Sequence, residues 1–307
     1  MLRVRVVAAV ALGCLGLMSG CSGPADKPTR DAEAGAGAGA SMDSTPTPSG
    51  TGSRAPAPPP DHKPVSYKPS WPDRTVRTAR GHRVNTCVPK DLRSKATTLT
   101  TSDGVHLSAL VLGDGPDGVL LDHEQGYNIC SFVDIGRQLA KRGYHVVIPE
   151  YRDHGASEHV AINEHKDRDA RAGLAELRRV GAKRVFLAGA SCGGTTAAVA
   201  GVDTPLRVVG LLMMSSPARC GPGADAVAAV RKLKVPTLLV VSPGDMEGAV
   251  EKQVREVHAA SAAHKKDLVI DKSGFHGTDM IRRAGASGAA LEDRVISFVV
   301  DSYDASR

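Results

Sequence analysis

Gly189-Ala190-Ser191-Cys192-Gly193 is a G-x-S-x-G set held between two segments that give it meaning. Before it, Arg184-Val185-Phe186-Leu187-Ala188 reads as a short buried strand. After it, the small-residue run Gly194-Thr195-Thr196-Ala197-Ala198-Val199-Ala200 predicts a closely packed helix. A serine pinched between strand and helix occupies a turn that only small neighbours permit, and the turn lifts its hydroxyl clear of the sheet. In a chain with 33 glycines the pentapeptide alone says little. Its flanks make Ser191 the candidate nucleophile.

A serine hydroxyl is a poor nucleophile at neutral pH, so it needs a base to take its proton and a third group to orient that base. Pro236-Thr237-Leu238-Leu239-Val240-Val241 is another buried-strand run, and it ends in Ser242-Pro243-Gly244-Asp245. Asp267-Leu268-Val269-Ile270 is a further strand, followed by Ser273-Gly274-Phe275-His276-Gly277. Residues just past the C-terminal ends of parallel strands share one rim of the sheet. Ser191, Asp245 and His276 are therefore candidate nucleophile, acid and base, in the chain order Ser…Asp…His.

Two more stretches complete a resemblance. Val119-Leu120-Leu121-Asp122-His123-Glu124-Gln125-Gly126 is similar to the strand and oxyanion turn of the α/β-hydrolase superfamily. Gly143-Tyr144-His145-Val146-Val147-Ile148-Pro149-Glu150-Tyr151-Arg152-Asp153-His154-Gly155-Ala156-Ser157 is similar to its G-Y-x-V-x-x-P-D-x-R-G-H-G-x-S segment. The chain resembles that superfamily over about Thr97 to Ser306. Its turn is closer to the H-E-x-x-G form of dienelactone-hydrolase-like members than to a plain His-Gly. The resemblance implies an oxyanion hole built from the backbone N–H of Cys192 and that of Glu124 or Gln125. The unusual Cys192 side chain need not disturb a hole made of main chain.

The coarse pattern agrees with such a fold. Strands are expected at Lys95–Ser102, His106–Gly113, Val119–His123, His145–Tyr151, Arg184–Ala190, Val208–Ser215, Thr237–Ser242 and Asp267–Asp271. Helical patterns lie between most of them, at Phe132–Arg142, Lys166–Val180, Gly194–Val202, Ala224–Lys234, Ala249–Ala262 and Leu291–Tyr303. A hairpin with turn Asp103-Gly104 comes first, and strands then alternate with helices. The expectation is an α/β protein, an eight-stranded mostly parallel sheet with helices on both faces. Only Pro217 to Val235 separates two late strands, which leaves no room for a cap domain. An open, shallow site follows, bordered by the loops Tyr127–Ser131, Ser157–Glu164 and Ala218–Gly223.

The N-terminal part reads differently. Arg3 and Arg5 precede the apolar stretch Val6–Met18, which has signal-peptide rather than membrane-spanning length. It runs into Leu17-Met18-Ser19-Gly20-Cys21, which resembles a bacterial lipobox. The resemblance implies residues 1–20 as a signal peptide and lipidation of Cys21, with an ordinary secretory cleavage as the other route to export. Residues 21–84 carry Ala34-Gly35-Ala36-Gly37-Ala38-Gly39-Ala40 and Ala55-Pro56-Ala57-Pro58-Pro59-Pro60 and read as a tether without a core. A flexible coil of that length spans roughly 45 Å. The hydrolase-like domain is expected from 85 to 307.

Net charge is +6, but it is not evenly placed. Arg54–Lys95 holds ten basic and three acidic residues, whereas Thr97–Arg307 holds 25 basic and 26 acidic. The basic segment suits contact with anionic lipid or wall polymer, and equally a solvated linker. It lacks interleaved aromatics beyond Tyr67 and Trp71 and carries no nucleic-acid motif, so no nucleic-acid partner is expected.

Apart from Cys21 and the leader's Cys14, four cysteines remain, Cys87, Cys130, Cys192 and Cys220, which allow three pairings. Cys87–Cys130 is the expected bridge. Cys192 and Cys220 read either as a second bridge or as buried thiols. No C-x-x-C or H-x-x-x-H spacing suggests a metal, and no cofactor is expected. His123 and His154 read as structural parts of their loops, and His159 and His165 as solvated. Glu247 and Asp271 are rivals of Asp245. The carboxylate of Glu124 matters only if it faces the oxyanion pocket. These residues imply an exported, membrane-anchored serine hydrolase acting on small or lipid-like carboxylic esters. An acyltransferase or peptidase on the same triad, a cofactor-free perhydrolase, and an envelope-binding protein that has lost its chemistry are the alternatives.

Overall fold

The computed structural model describes residues 73–160 and 165–307. The leader, Cys21, most of the expected tether and the end of the Ser157–Glu164 loop lie outside the described residues.

Two short strands, β1 (Thr75–Arg77) and β2 (Arg83–Asn85), form an antiparallel hairpin. The main sheet then runs through β3 (Ala96–Thr100), β4 (His106–Leu112) and β5 (Asp117–Asp122). Helix α1 (Val133–Lys141), β6 (Tyr144–Pro149), α2 (Lys166–Arg179) and β7 (Arg184–Ala190) follow. Next come α3 (Cys192–Val202), β8 (Arg207–Met214), α4 (Ala226–Lys232) and β9 (Thr237–Val241). Last are α5 (Ala249–Ala260), β10 (Lys266–Ile270), α6 (Asp279–Arg282) and α7 (Gly285–Asp304).

The eight strands of the main sheet lie in the order β10-β9-β8-β7-β5-β6-β4-β3. Strands β5 to β10 are parallel, while β3 and β4 run antiparallel at one edge. Side chains alternate between two cores. In β5, β7 and β9, Val119, Leu121, Phe186, Ala188, Leu238 and Val240 pack with α1 and α7. Their neighbours Leu120, Val185, Leu187, Leu239 and Val241 pack with α2 to α5. A strand buried on both faces needs apolar residues at every position, which is why these segments read as unbroken apolar runs.

Two boundaries differ from expectation. Residues 75–84 were expected in the tether, yet they form the hairpin, with Val84 fully buried against the body. The hairpin's own residues are mostly polar and basic, so neither its period nor its composition separates it from a linker. The last helix begins at Gly285 rather than Leu291, because Gly285-Ala286-Ser287-Gly288 lacks the apolar period of the rest. Between β8 and β9 the described residues form only α4 with its loops.

Candidate active site

The turn at Ser191 is the structural centre of the rim. Ser191 has φ 51° and ψ −130° and stands between β7 and α3. A non-glycine residue there is strained, and the surrounding structure must hold it. The glycines on either side explain how. A Cβ at Gly189 would lie 2.4 Å from the Gly193 carbonyl carbon, and one at Gly193 would lie 2.2 Å from Asp122 O. The strand, the helix and the end of β5 thus meet at distances that no side chain allows. The Ser191 N–H donates to Met214 O at 2.7 Å, fixing the turn to β8. Its side chain makes no capping bond to α3, so the hydroxyl is not spent on its own helix.

Asp245 follows β9 and His276 follows β10. The His276 Nδ1–H donates to the Asp245 carboxylate, at 2.8 Å from Oδ1 and 3.0 Å from Oδ2. The Asp245 side chain is 2% exposed and that of His276 28%. Burial alone would lower the imidazole's pKa, but the Asp245 hydrogen bond and charge, with Glu124 and Asp279, outweigh it and raise it above the ordinary value. The expected rivals are occupied or misplaced. Asp271 accepts from Ser242 Oγ and from the Ser273 N–H and hydroxyl, closing its own turn. Glu247 is exposed and sits at positive φ beyond the pair.

The histidine loop and the serine turn meet on consecutive residues of one strand end. Gly277 N–H donates to Ser215 Oγ at 3.0 Å, while Ser191 N–H donates to Met214 O. The serine turn and the histidine loop are therefore anchored on adjacent residues, Met214 at the end of β8 and Ser215 just beyond it. Ser215, at φ 48°, is a contributor that sequence reasoning missed. Its only sequence signal is its place immediately after an apolar strand.

The turn after β5 comes to the same place. Gln125 Oε1 lies 3.5 Å from Cys192 Sγ, which sets the Glu124-Gln125 main chain beside the start of α3. His123 is fully buried with both ring nitrogens used: Nδ1–H donates to Glu124 O and Nε2 accepts from the Tyr151 N–H. Burial, with His154 nearby, keeps it neutral by pushing its pKa well down. His154 donates through Nδ1 to Arg152 O and accepts from the Gly126 N–H at Nε2. Arg152 is itself buried between Asp103 and Asp169. These groups build the turn rather than face the reaction. His159 is exposed beside Asp153, and His165 precedes α2.

Two disulfides are present. Cys87–Cys130 ties the segment after β2 to the short turn before α1, and Cys192–Cys220 ties the first residue of α3 to the loop after β8. Among the described residues no group of His, Cys, Asp or Glu is arranged to hold a metal ion. Neither of two cavities of about 490 and 390 Å³ is lined by Ser191, Asp245 or His276. The first lies between α2 and the end of α3, the second beside the β1–β2 hairpin.

The order of the parallel strands and the serine between β7 and α3 decide the fold. This chain has the α/β-hydrolase fold. A family model described as serine aminopeptidase, S33, matches residues 118–223, from β5 to the loop after β8. No curated protein sequence matches the chain. Among solved structures, the Pyrococcus furiosus esterase Pf2001 is similar at 20% identity and a TM-score of 0.56, over 74% of this chain and 95% of that one. A monoacylglycerol lipase of Paleococcus ferrophilus is similar at 16% identity and a TM-score of 0.54, over 64% of this chain and 99% of that one. A membrane phospholipase A described as a bacterial virulence factor is similar at 16% identity and a TM-score of 0.52, over 68% and 86%. The chain spans 86 to 99% of the length of these three neighbours.

Proposed function

We propose that the protein is a serine hydrolase that cleaves carboxylic esters through an acyl-enzyme on Ser191. The observation that carries this reading is the strained serine turn on the same rim as the bonded Asp245–His276 pair. His276 Nε2 takes the Ser191 proton as Oγ attacks the acyl carbonyl, then returns it to the leaving alcohol. Asp245 holds the Nδ1–H tautomer and stabilises the imidazolium. The backbone N–H of Cys192, with that of Glu124 or Gln125, receives the developing oxyanion. Water then repeats the sequence in reverse to free the acid.

Solved structures of similar fold that are named esterase, lipase and phospholipase favour ester substrates. The family model's name keeps amide substrates in view as a second reading. The rim without a cap suits small or lipid-like esters that reach the serine from solvent. Two disulfides support maturation in an oxidising compartment. With the lipobox-like Cys21, they favour a lipoprotein held on the outer face of a bacterial membrane. The basic segment from Arg54 to Lys95 then lies next to anionic lipid or wall polymer.

Nitrophenyl esters of increasing acyl length test the chemistry. Turnover should fall by roughly 10⁴-fold or more in Ser191→Ala, with the far-ultraviolet circular dichroism unchanged. Full activity in that variant would end the reading. A folded protein that neither turns over esters nor accepts an active-site phosphonate would instead be a binding protein. Cys21→Ala should move the protein from the membrane fraction to the soluble one.

A further inference from the structure

Glu124 has a side chain whose role the mechanism above does not use. It is 1% exposed, and its Oε1 accepts from both the N–H and the hydroxyl of Thr278, each at 2.5 Å. Its Oε2 is buried without a hydrogen-bond partner among the described residues. Gly277 is shaped to this carboxylate: its φ is +54°, and a Cβ there would lie 2.6 Å from Glu124 Oε1. The segment after His276 is thus gripped from two sides, by Ser215 at Gly277 and by Glu124 at Thr278.

A neutral acceptor would satisfy Thr278 as well, and burying a carboxylate is costly. The charge therefore calls for an explanation beyond bracing. Three acidic groups face His276: Asp245, Glu124 and Asp279. Asp279 shares its charge with Arg283 at 3.0 Å, with Arg282 at 4.0 Å, and with the Tyr127 hydroxyl at 3.0 Å. Glu124 has no cationic partner among the described residues, so its field falls on the imidazole less diminished. Its own backbone belongs to the turn that flanks Cys192.

We propose that Glu124 is a positioning residue for His276: its carboxylate braces the His276-Gly277-Thr278 segment against the oxyanion turn, and its charge favours the imidazolium formed when Ser191 gives up its proton. The inference rests on the serine-hydrolase reading for its catalytic meaning. One side chain then links the base's loop to the oxyanion turn, so a shift in either is felt by both.

The full chain tests this in four variants. Glu124→Gln keeps the size and an acceptor but removes the charge. The His276 titration midpoint, followed by NMR of the imidazole carbons and assigned by its loss in His276→Asn, should fall by roughly one pH unit. The acid limb of kcat/KM should move down with it, with KM little changed. Thr278→Val keeps the backbone N–H bond and loses the hydroxyl one; it should lower kcat several-fold and leave the titration midpoint in place. An unmoved midpoint in folded Glu124→Gln overturns the charge role, and wild-type kcat in Thr278→Val overturns the bracing. The midpoint needs no turnover, so it is readable in Ser191→Ala as well. An active Ser191→Ala would thus sink the hydrolase reading without touching the Glu124 result.

Discussion

The two disulfides close loops of similar length yet stand in very different company. Their cysteines are 43 and 28 residues apart, and on the chain-entropy account the bridges are worth about 4 and about 3.5 kcal/mol. Cys87–Cys130 sits in a polar knot between the hairpin and the turn before α1. Asn85 and Asn128 both donate to Asp73 Oδ2 at 3.0 Å, and Glu150 accepts from Asn85 and from the Ile129 N–H. Cys192–Cys220 instead begins at the first residue of α3, whose N–H we propose receives the oxyanion, and ends in the loop after β8. Similar thermodynamic weight need not mean similar functional weight. One staple fastens the N-terminal hairpin to the domain, while the other fastens the start of α3 beside Ser191 to the loop after β8.

Opening each bridge should separate these roles. Cys87→Ser/Cys130→Ser should lower unfolding free energy by about 4 kcal/mol in denaturant titrations. Its kcat, measured under conditions where it remains folded, should equal that of wild type. A fall in kcat would mean that the hairpin reaches the chemistry after all. Cys192→Ser/Cys220→Ser should lose slightly less stability, about 3.5 kcal/mol. It should also lose roughly tenfold in kcat, since one misplaced oxyanion donor is enough for that. An unchanged kcat there would make both bridges purely structural and erase the contrast.

The same contrast explains what the sequence made legible. Around Cys192 each signal was local. The buried-strand run of β7, the glycines of the turn and the small residues of α3 stand side by side, so Ser191 and its elbow could be read directly. The placement of Asp245 and His276 on one rim was legible because each follows an apolar strand, and parallel topology gathers such positions there. Around Cys87 the determinants are long-range. The hairpin β1–β2 has no apolar period, and what orders it is the burial of Val84 and contacts between residues 43 to 65 positions apart. The side-chain role of Glu124 was hidden for the same reason, since Thr278 lies 154 positions downstream. Whether its carboxylate faced inward could be posed from sequence but answered only from packing.

Glu150 gives the finest test of the difference, because its carboxylate accepts from Asn85 and from the Ile129 N–H of the first region. Burial pushes its carboxyl up to about 7 from an ordinary 4.5, even though the Ala156 and Ile129 N–H groups favour the charged form. A carboxyl whose pKa is higher folded than unfolded favours folding while protonated. Its contribution is complete below about 4.5 and is lost as pH rises through about 7. The full loss corresponds to roughly 3 kcal/mol. Unfolding free energy measured from pH 4.5 to 8 should therefore fall less steeply in Glu150→Gln than in wild type. The His276 acid limb of kcat/KM should stay where it is, because Glu150 faces the hairpin knot and not the imidazole. Parallel stability curves for the two proteins would show that Glu150 is already ionised in the folded state, held by its backbone donors. The knot around Cys87–Cys130 would then be as indifferent to pH as it is to catalysis.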